Sequence, residues 1–138
     1  VEKKSYDSFQ IGETASFSKT ITESDVTNYA GITGDFNPVH IDQEYAKDSF
    51  FNDRIVHGML SAGLISAVLG TKLPGPGAIY LSQDLKFKKP VKINDTLTAR
   101  VEVIDKKPEK KILKLNTSCF NQNDIEVLTG NAEVMINT

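Results

Sequence analysis

The uncharged run from Gly58 to Gly70, GMLSAGLISAVLG, restricts the fold of this chain more than any other stretch. Leu60, Leu64 and Val68 recur at four-residue spacing, as do Ile65 and Leu69. Ala62, Ser66 and Gly70 form a row of small residues only, flanked by Gly63 and Ala67. A helix with no polar face is expected to be buried all round, and the small row lets another backbone come close. The run is too short to span a bilayer, which needs roughly 20 residues. In a chain of 138 residues, enough for one domain with its own core, the natural wrapper is a curved sheet. A single domain over residues 1–138 is therefore expected.

The second half contains strands of period two. Ile79, Leu81, Leu85 and Phe87 alternate with Tyr80, Ser82, Asp84 and Lys86. After a turn at Asn94-Asp95, Leu97, Ala99, Val101 and Val103 alternate with Thr98, Arg100 and Glu102. Lys107-Pro108-Glu109 turns the chain into a strand through Leu113, Leu115, Thr117 and Cys119, and Asn121 to Asp124 turn it again. In the last strand the inward set shifts from Ile125, Val127 and Thr129 to Ala132, Val134 and Ile136, which predicts a β-bulge at Gly130-Asn131. Short turns imply antiparallel pairing. With an opening strand from Thr14 to Ile21, five strands are expected around one dry helix. The class is α+β, an antiparallel sheet wrapped around a central buried helix, the outline of a hot-dog fold.

Thr22-Glu23-Ser24-Asp25 resembles a capping box and starts a helix expected to end near Gly31. GDFNPVH follows at residues 34–40, and Pro38 biases Asn37 away from helical angles, so this stretch is expected not to be helical. Asp42 is placed to cap a short helix, Gln43 to Lys47.

Charge excludes some partners. A net charge of −2 gives no general attraction to nucleic acid or to an acidic membrane. Cys119 is the only cysteine and has no internal disulfide partner, and VEKKSYDSFQ at the start lacks the apolar core of a signal peptide. A cytoplasmic address is expected.

Asp35 and His40 stand five residues apart in GDFNPVH. A turning segment can bring a carboxylate and an imidazole together to position water and move its protons. The alternative is an ordinary Asx turn at Asp35 and Asn37 with His40 as a loop histidine. His57-Gly58 opens the dry helix, where free amides suit an anion or a developing oxyanion and glycine leaves room for a ligand. Gly58 equally serves a tight turn of the chain into the helix. Lysines 86, 88, 89 and 92 face either a phosphate-bearing ligand or plain solvent at a strand edge. The two histidines and the distant cysteine match no zinc spacing, and no GxGxxG, GxxxxGK[ST] or GxSxG pattern occurs.

GDFNPVH, then FNDRIVHGMLSAGLIS, then LKFKKPVKINDTLTARVEV, in that order over roughly Ile21 to Val103, resemble the MaoC-like (R)-specific enoyl-CoA hydratases. The resemblance implies a hot-dog homodimer with active sites between subunits. It assigns catalysis to Asp35 and His40, and it gives the amide of Gly58 the thioester oxygen. Ser66 falls to the acyl pocket, and Asn37 to positioning around the substrate. At 1.5 Å per residue Ser66 lies about 12 Å along the helix from Gly58, too far for the oxyanion hole but suited to an acyl wall, or simply to helix packing.

The implied reaction adds water to a trans-2-enoyl-CoA to give a (3R)-hydroxyacyl-CoA, without metal or redox cofactor. By resemblance coenzyme A carries the thioester as part of the substrate, with acyl carrier protein as the alternative carrier, and polyester-precursor supply, fatty-acid metabolism and a branched or dicarboxylic acid route all fit. A hot-dog acyl-CoA thioesterase and a non-catalytic acyl-CoA-binding protein are the alternatives.

Overall fold

The structure, a computed structural model, describes residues 1–137; Thr138, the last residue of the expected domain, lies outside the described residues. Strand β1 (Thr14–Thr20) leads to Thr22, whose hydroxyl accepts the Asp25 N–H while the Asp25 carboxylate accepts the Thr22 N–H. This is the expected capping box. Helix α1 (Glu23–Thr33) runs past Gly31, where it was expected to end, and stops at Gly34. Gly34 takes φ 82°, the left-handed conformation that closes a helix and that glycine adopts without steric cost.

The stretch expected to lack helix contains one turn of it, α2 (Pro38–Ile41). Pro38 is the first helical residue, where its missing N–H would have had no partner and its fixed φ already fits. Asn37 caps the turn by accepting the Val39 N–H at 3.2 Å. Helix α3 (Gln43–Lys47) follows as expected, with Asp42 accepting the Tyr45 N–H.

Helix α4 (Gly58–Thr71) crosses the sheet with Ser61, Ala62, Leu64, Ile65, Val68 and Leu69 buried. Full burial of an Ile, Leu or Val side chain is worth about 1.5–3 kcal/mol. The expectation of burial all round fails within one chain. Met59 is 57% exposed, and Gly63, Ser66 and Gly70 lie on the same open side. The sheet curves around only one flank of α4, so Ser66 and Gly70 of the small-residue row face outward with Gly63, whereas Ala62, the first of that row, is buried.

Five strands follow: β2 (Ala78–Gln83), β3 (Lys86–Phe87), β4 (Thr96–Lys107), β5 (Ile112–Phe120) and β6 (Glu126–Ile136). With β1 they form one antiparallel sheet of six strands among the described residues, in the order β1-β4-β5-β6-β2, with β3 also paired to β6. The expected alternation is clean in β4, where Leu97, Ala99, Val101 and Val103 are fully buried beneath α4. The run from Ile79 to Phe87, expected as one strand, is broken into β2 and β3, both paired to β6. Its apolar residues Ile79, Leu81 and Phe87 are exposed.

The bulge in β6 also lies elsewhere than expected. Cys119 pairs with Leu128 but Phe120 with Glu126, so Val127 is the extra residue, and it is buried. Gly130 stays in register opposite Thr117. Its glycine has another cause: a Cβ there would overlap the Asp84 backbone carbonyl where the β2–β3 break crosses β6. The Asp84 N–H donates to the Asn131 carbonyl at 3.0 Å, and the Asp84 carboxylate accepts the Asn131 N–H at 3.2 Å. No helix among the described residues is long and apolar enough to cross a membrane.

Because the obstacle at Gly130 is backbone, Gly130→Ala is expected to cost about 1–3 kcal/mol, as overpacking does. Urea unfolding measures this, and an unchanged midpoint would contradict the crowding.

Candidate active site

Asp35 leaves the left-handed Gly34 with its N–H donated to Thr33 Oγ1 at 3.2 Å. Its Oδ1 accepts the Asn37 N–H at 3.2 Å, so the Asx turn is present. That turn does not exclude chemistry. One oxygen of the Asp35 carboxylate and one ring nitrogen each of His40 and His57 lie within 4.8 Å of one another.

His40 is only 7% exposed. Its Nδ1 lies 2.8 Å from the Ile55 carbonyl, which only accepts, so Nδ1 carries the proton and Nε2 is the basic edge. The Ile55 N–H returns a bond to the Val39 carbonyl at 3.2 Å, and the Val56 N–H bonds the Val91 carbonyl at 2.7 Å. These bonds fix α2 against the segment that enters α4. Burial pushes the His40 imidazole below the ordinary histidine range, and His57 adds to this; the Ile55 carbonyl and the Asp35 carboxylate act in the opposite direction.

In the sequence His57 stands out only as the neighbour of Gly58 at the start of the dry helix. In the structure its ring stacks on His40 with centroids 3.8 Å apart and planes 26° from parallel, and Tyr29 meets it at 4.7 Å. A chain with only two histidines, each inside one of the matching segments, held that signal. The pairing itself joins positions far apart in sequence.

With Asp35 beside them, the two rings bring three atoms of metal-ligand type together although their spacing in the sequence matches no zinc pattern. Imidazole lone pairs lie in the ring plane, so stacked rings direct them side by side. One ring would have to leave the stack for both to bind one ion.

A cavity of about 650 Å³ opens beside this cluster. Asp35, His57 and Gly58 line it, together with Ser61, Phe87 and Val127. Lys88 and Lys89 also line it, whereas Lys86 and Lys92 are not in its walls; Lys88 pairs with Glu126 at 2.7 Å. The first amides of α4 receive no side-chain cap, so Gly58 presents its N–H beside the acid and the imidazoles. A Cβ on Gly58 would stand 2.8 Å from Cε1 of Phe87. The space a side chain would need is taken by that ring.

Two expected residues stand apart from this cavity. Asn37 turns its side chain onto α2 as a cap, and Ser66 lines a second hollow with Met59, Gly63, Tyr80 and Leu81. Met59 borders both spaces. His40 lies one ring behind the wall, stacked against His57. Cys119 is buried under α4 with Sγ 3.7 Å from the Ser61 carbonyl, and burial pushes its thiol up to about 12, so it is no nucleophile.

This combination of wrapped helix, Asn-Pro turn and helix-start amide has known counterparts. The MaoC-like domain family matches residues 8–121, and the chain belongs to that family. It is 51% identical to an (R)-specific enoyl-CoA hydratase of Rhodospirillum rubrum, over 95% of this chain and 90% of that protein. It is 43% identical to the (R)-specific enoyl-CoA hydratase of Aeromonas caviae, over 94% of this chain and 96% of that one. The solved (R)-hydratase from A. caviae, involved in PHA biosynthesis, superposes with a TM-score of 0.91 over 94% of this chain and 98% of its own. The unliganded R-hydratase PhaJ1 of Pseudomonas aeruginosa superposes with a TM-score of 0.90 at 44% identity, covering 96% of this chain and 84% of that one. The fold is therefore the hot-dog fold expected from the pattern.

The depressed His40 has a thermodynamic consequence. An ordinary histidine titrates near 6.5, so between the lower folded value and 6.5 the unfolded chain binds more protons than the folded one. Stability rises with pH across that window and is lost as pH falls through it. Urea unfolding at about pH 7 and about pH 5 is expected to show a smaller loss for His40→Gln than for the wild type. Equal losses would remove His40 as the cause.

Proposed function

We propose that the protein is an (R)-specific enoyl-CoA hydratase, adding water to a trans-2-enoyl-CoA and, in reverse, dehydrating the (3R)-hydroxyacyl-CoA. The observation that carries this reading is the meeting of the Asp35 carboxylate and the His40 imidazole beside the uncapped start of α4.

The thioester oxygen accepts the Gly58 N–H, which draws electron density from the double bond and makes C3 electrophilic. Asp35 and the Nε2 edge of His40 hold one water. As its oxygen attacks C3, the pair takes one proton from it and delivers one to C2, so the thioester is left intact. His40 is suited to this because its Nδ1–H is already given to Ile55, which fixes the ring and its tautomer.

Asn37 acts through the turn that presents Asp35, and Ser66 serves the hollow beyond Met59 as an acyl wall. The acid/base pair and the helix amide suffice for the step, so it calls on no metal or redox cofactor, and coenzyme A enters only as part of the substrate. The buried free thiol of Cys119 accords with a cytoplasmic setting.

The working unit in this reading is a homodimer. Met59, Tyr80, Leu81 and Phe87 are exposed along the open side of α4 and β2–β3, and Gly63, Ser66 and Gly70 there allow close approach of a second copy.

Asp35→Asn and His40→Gln are each expected to lower kcat on crotonyl-CoA by about 10²–10⁴-fold, read from the loss of enoyl absorbance, with chiral analysis giving the (3R) product. Wild-type turnover in both variants would overturn the assignment, and release of free thiol would mark a thioesterase instead. Sedimentation equilibrium is expected to return twice the chain mass; a monomer active at the same concentration would remove the dimer.

A further inference from the structure

Something must hold the acid/base pair at a fixed distance from the Gly58 amide, because a displacement of about 1 Å in such a constellation can cost about 10²-fold in rate. The turn that bears Asp35 is weakly tied by itself. Its bonds from Asp35 to Thr33, from Phe36 to Gly34, from Asn37 to Asp35 and from Val39 to Asn37 are all local. Residues 34–37 make one hydrogen bond to a distant part of the chain among the described residues: His57 Nε2 lies 3.0 Å from the Asp35 carbonyl, across 22 positions.

A carbonyl only accepts, so His57 must carry its proton on Nε2. The backbone of His57 is itself locked, since its carbonyl accepts the N–H groups of Leu60 at 3.1 Å and Ser61 at 3.3 Å. The residue after it is Gly58. The same ring lies face to face with His40 at 3.8 Å and is backed by Tyr29. It is 2% exposed, and its Nδ1 is buried without a hydrogen-bond partner among the described residues. That Nδ1 goes unpaired is the cost of presenting Nε2–H to the Asp35 loop and the ring face to His40.

We propose that His57 is the positioning residue of the hydration centre: its Nε2–H holds the Asp35 loop and its ring face holds His40, so one side chain sets both against the adjoining Gly58 amide. The inference rests on reading Asp35 and His40 as the acid/base pair. In that role His57 exchanges no proton with substrate or water.

Two substitutions separate the bond from the packing. His57→Phe keeps an aromatic face for His40 and Tyr29 but has no donor, whereas His57→Gln loses the ring and restores an N–H near the position of Nε2. On crotonyl-CoA, kcat is expected to fall about 10²-fold in His57→Phe with KM changed less than about threefold, and His57→Gln is expected to recover about tenfold of that loss. Packing alone would order the two variants the other way.

A long-range proton–nitrogen NMR correlation on the wild-type protein is expected to find the His57 proton on Nε2. This readout needs no turnover and stands even if His57→Phe fails to fold. Three results would overturn the proposal: the proton on Nδ1, wild-type kcat in a folded His57→Phe while Asp35→Asn is inactive, or His57→Gln falling below His57→Phe. Full turnover in Asp35→Asn is a distinct failure, since it removes the acid/base pair itself and with it anything left to position.

Discussion

The inner side of α4 lies against the curved sheet, and the rest of the molecule is arranged around that contact. Ile65, Val68 and Leu69 are at most 2% exposed against strands whose inward residues are equally dry. At about 1.5–3 kcal/mol for each such side chain, this is the main support for a helix with no polar face of its own. It also fixes where the helix begins. Because α4 cannot slide on a close-packed sheet without opening voids, the uncapped amide at Gly58 is held in place from below.

The irregular parts of the sheet then shape what lies above that amide. Crossing at Gly130 lets Asp84 interrupt the strand, which starts β3 afresh and brings Phe87 over Gly58. The bulge at Val127 buries an extra apolar residue, and that residue lines the cavity. Neither feature is a defect in the ladder. Each turns side chains toward the cavity that a regular strand would direct elsewhere.

On this apolar floor the polar groups are few and their roles are set by their partners. The Ile55 carbonyl accepts the His40 Nδ1–H and the Asp35 main-chain carbonyl accepts the His57 Nε2–H, so two stacked rings present opposite nitrogens. Both acceptors are backbone carbonyls, which can only accept, so neither tautomer can exchange without breaking its bond. Gly58 meets two demands at once: an accessible amide, and no side chain where Phe87 already stands.

Much of this was legible in the amino-acid order because the interactions concerned are local. The capping box at Thr22 and the cap at Asp42, the period-two runs of β4 and β5, the turns at Asn94-Asp95 and Asn121–Asp124, and the GDFNPVH and IVHGM segments each act within a few residues. The sequence alone thus determined the class of fold and the acid–imidazole candidates. What spans the chain was decided only in three dimensions. Pro38 begins a helical turn because Asn37 and the packing of Val39 favour it there, the β2–β3 run breaks because β6 passes beneath it, and α4 bares Gly63, Ser66 and Gly70 because the sheet covers one flank. The stack of His40 on His57 belongs with these, since no periodicity encodes a contact between rings seventeen positions apart; it exists because α2 and the start of α4 are tied to one another through Ile55 and Val39.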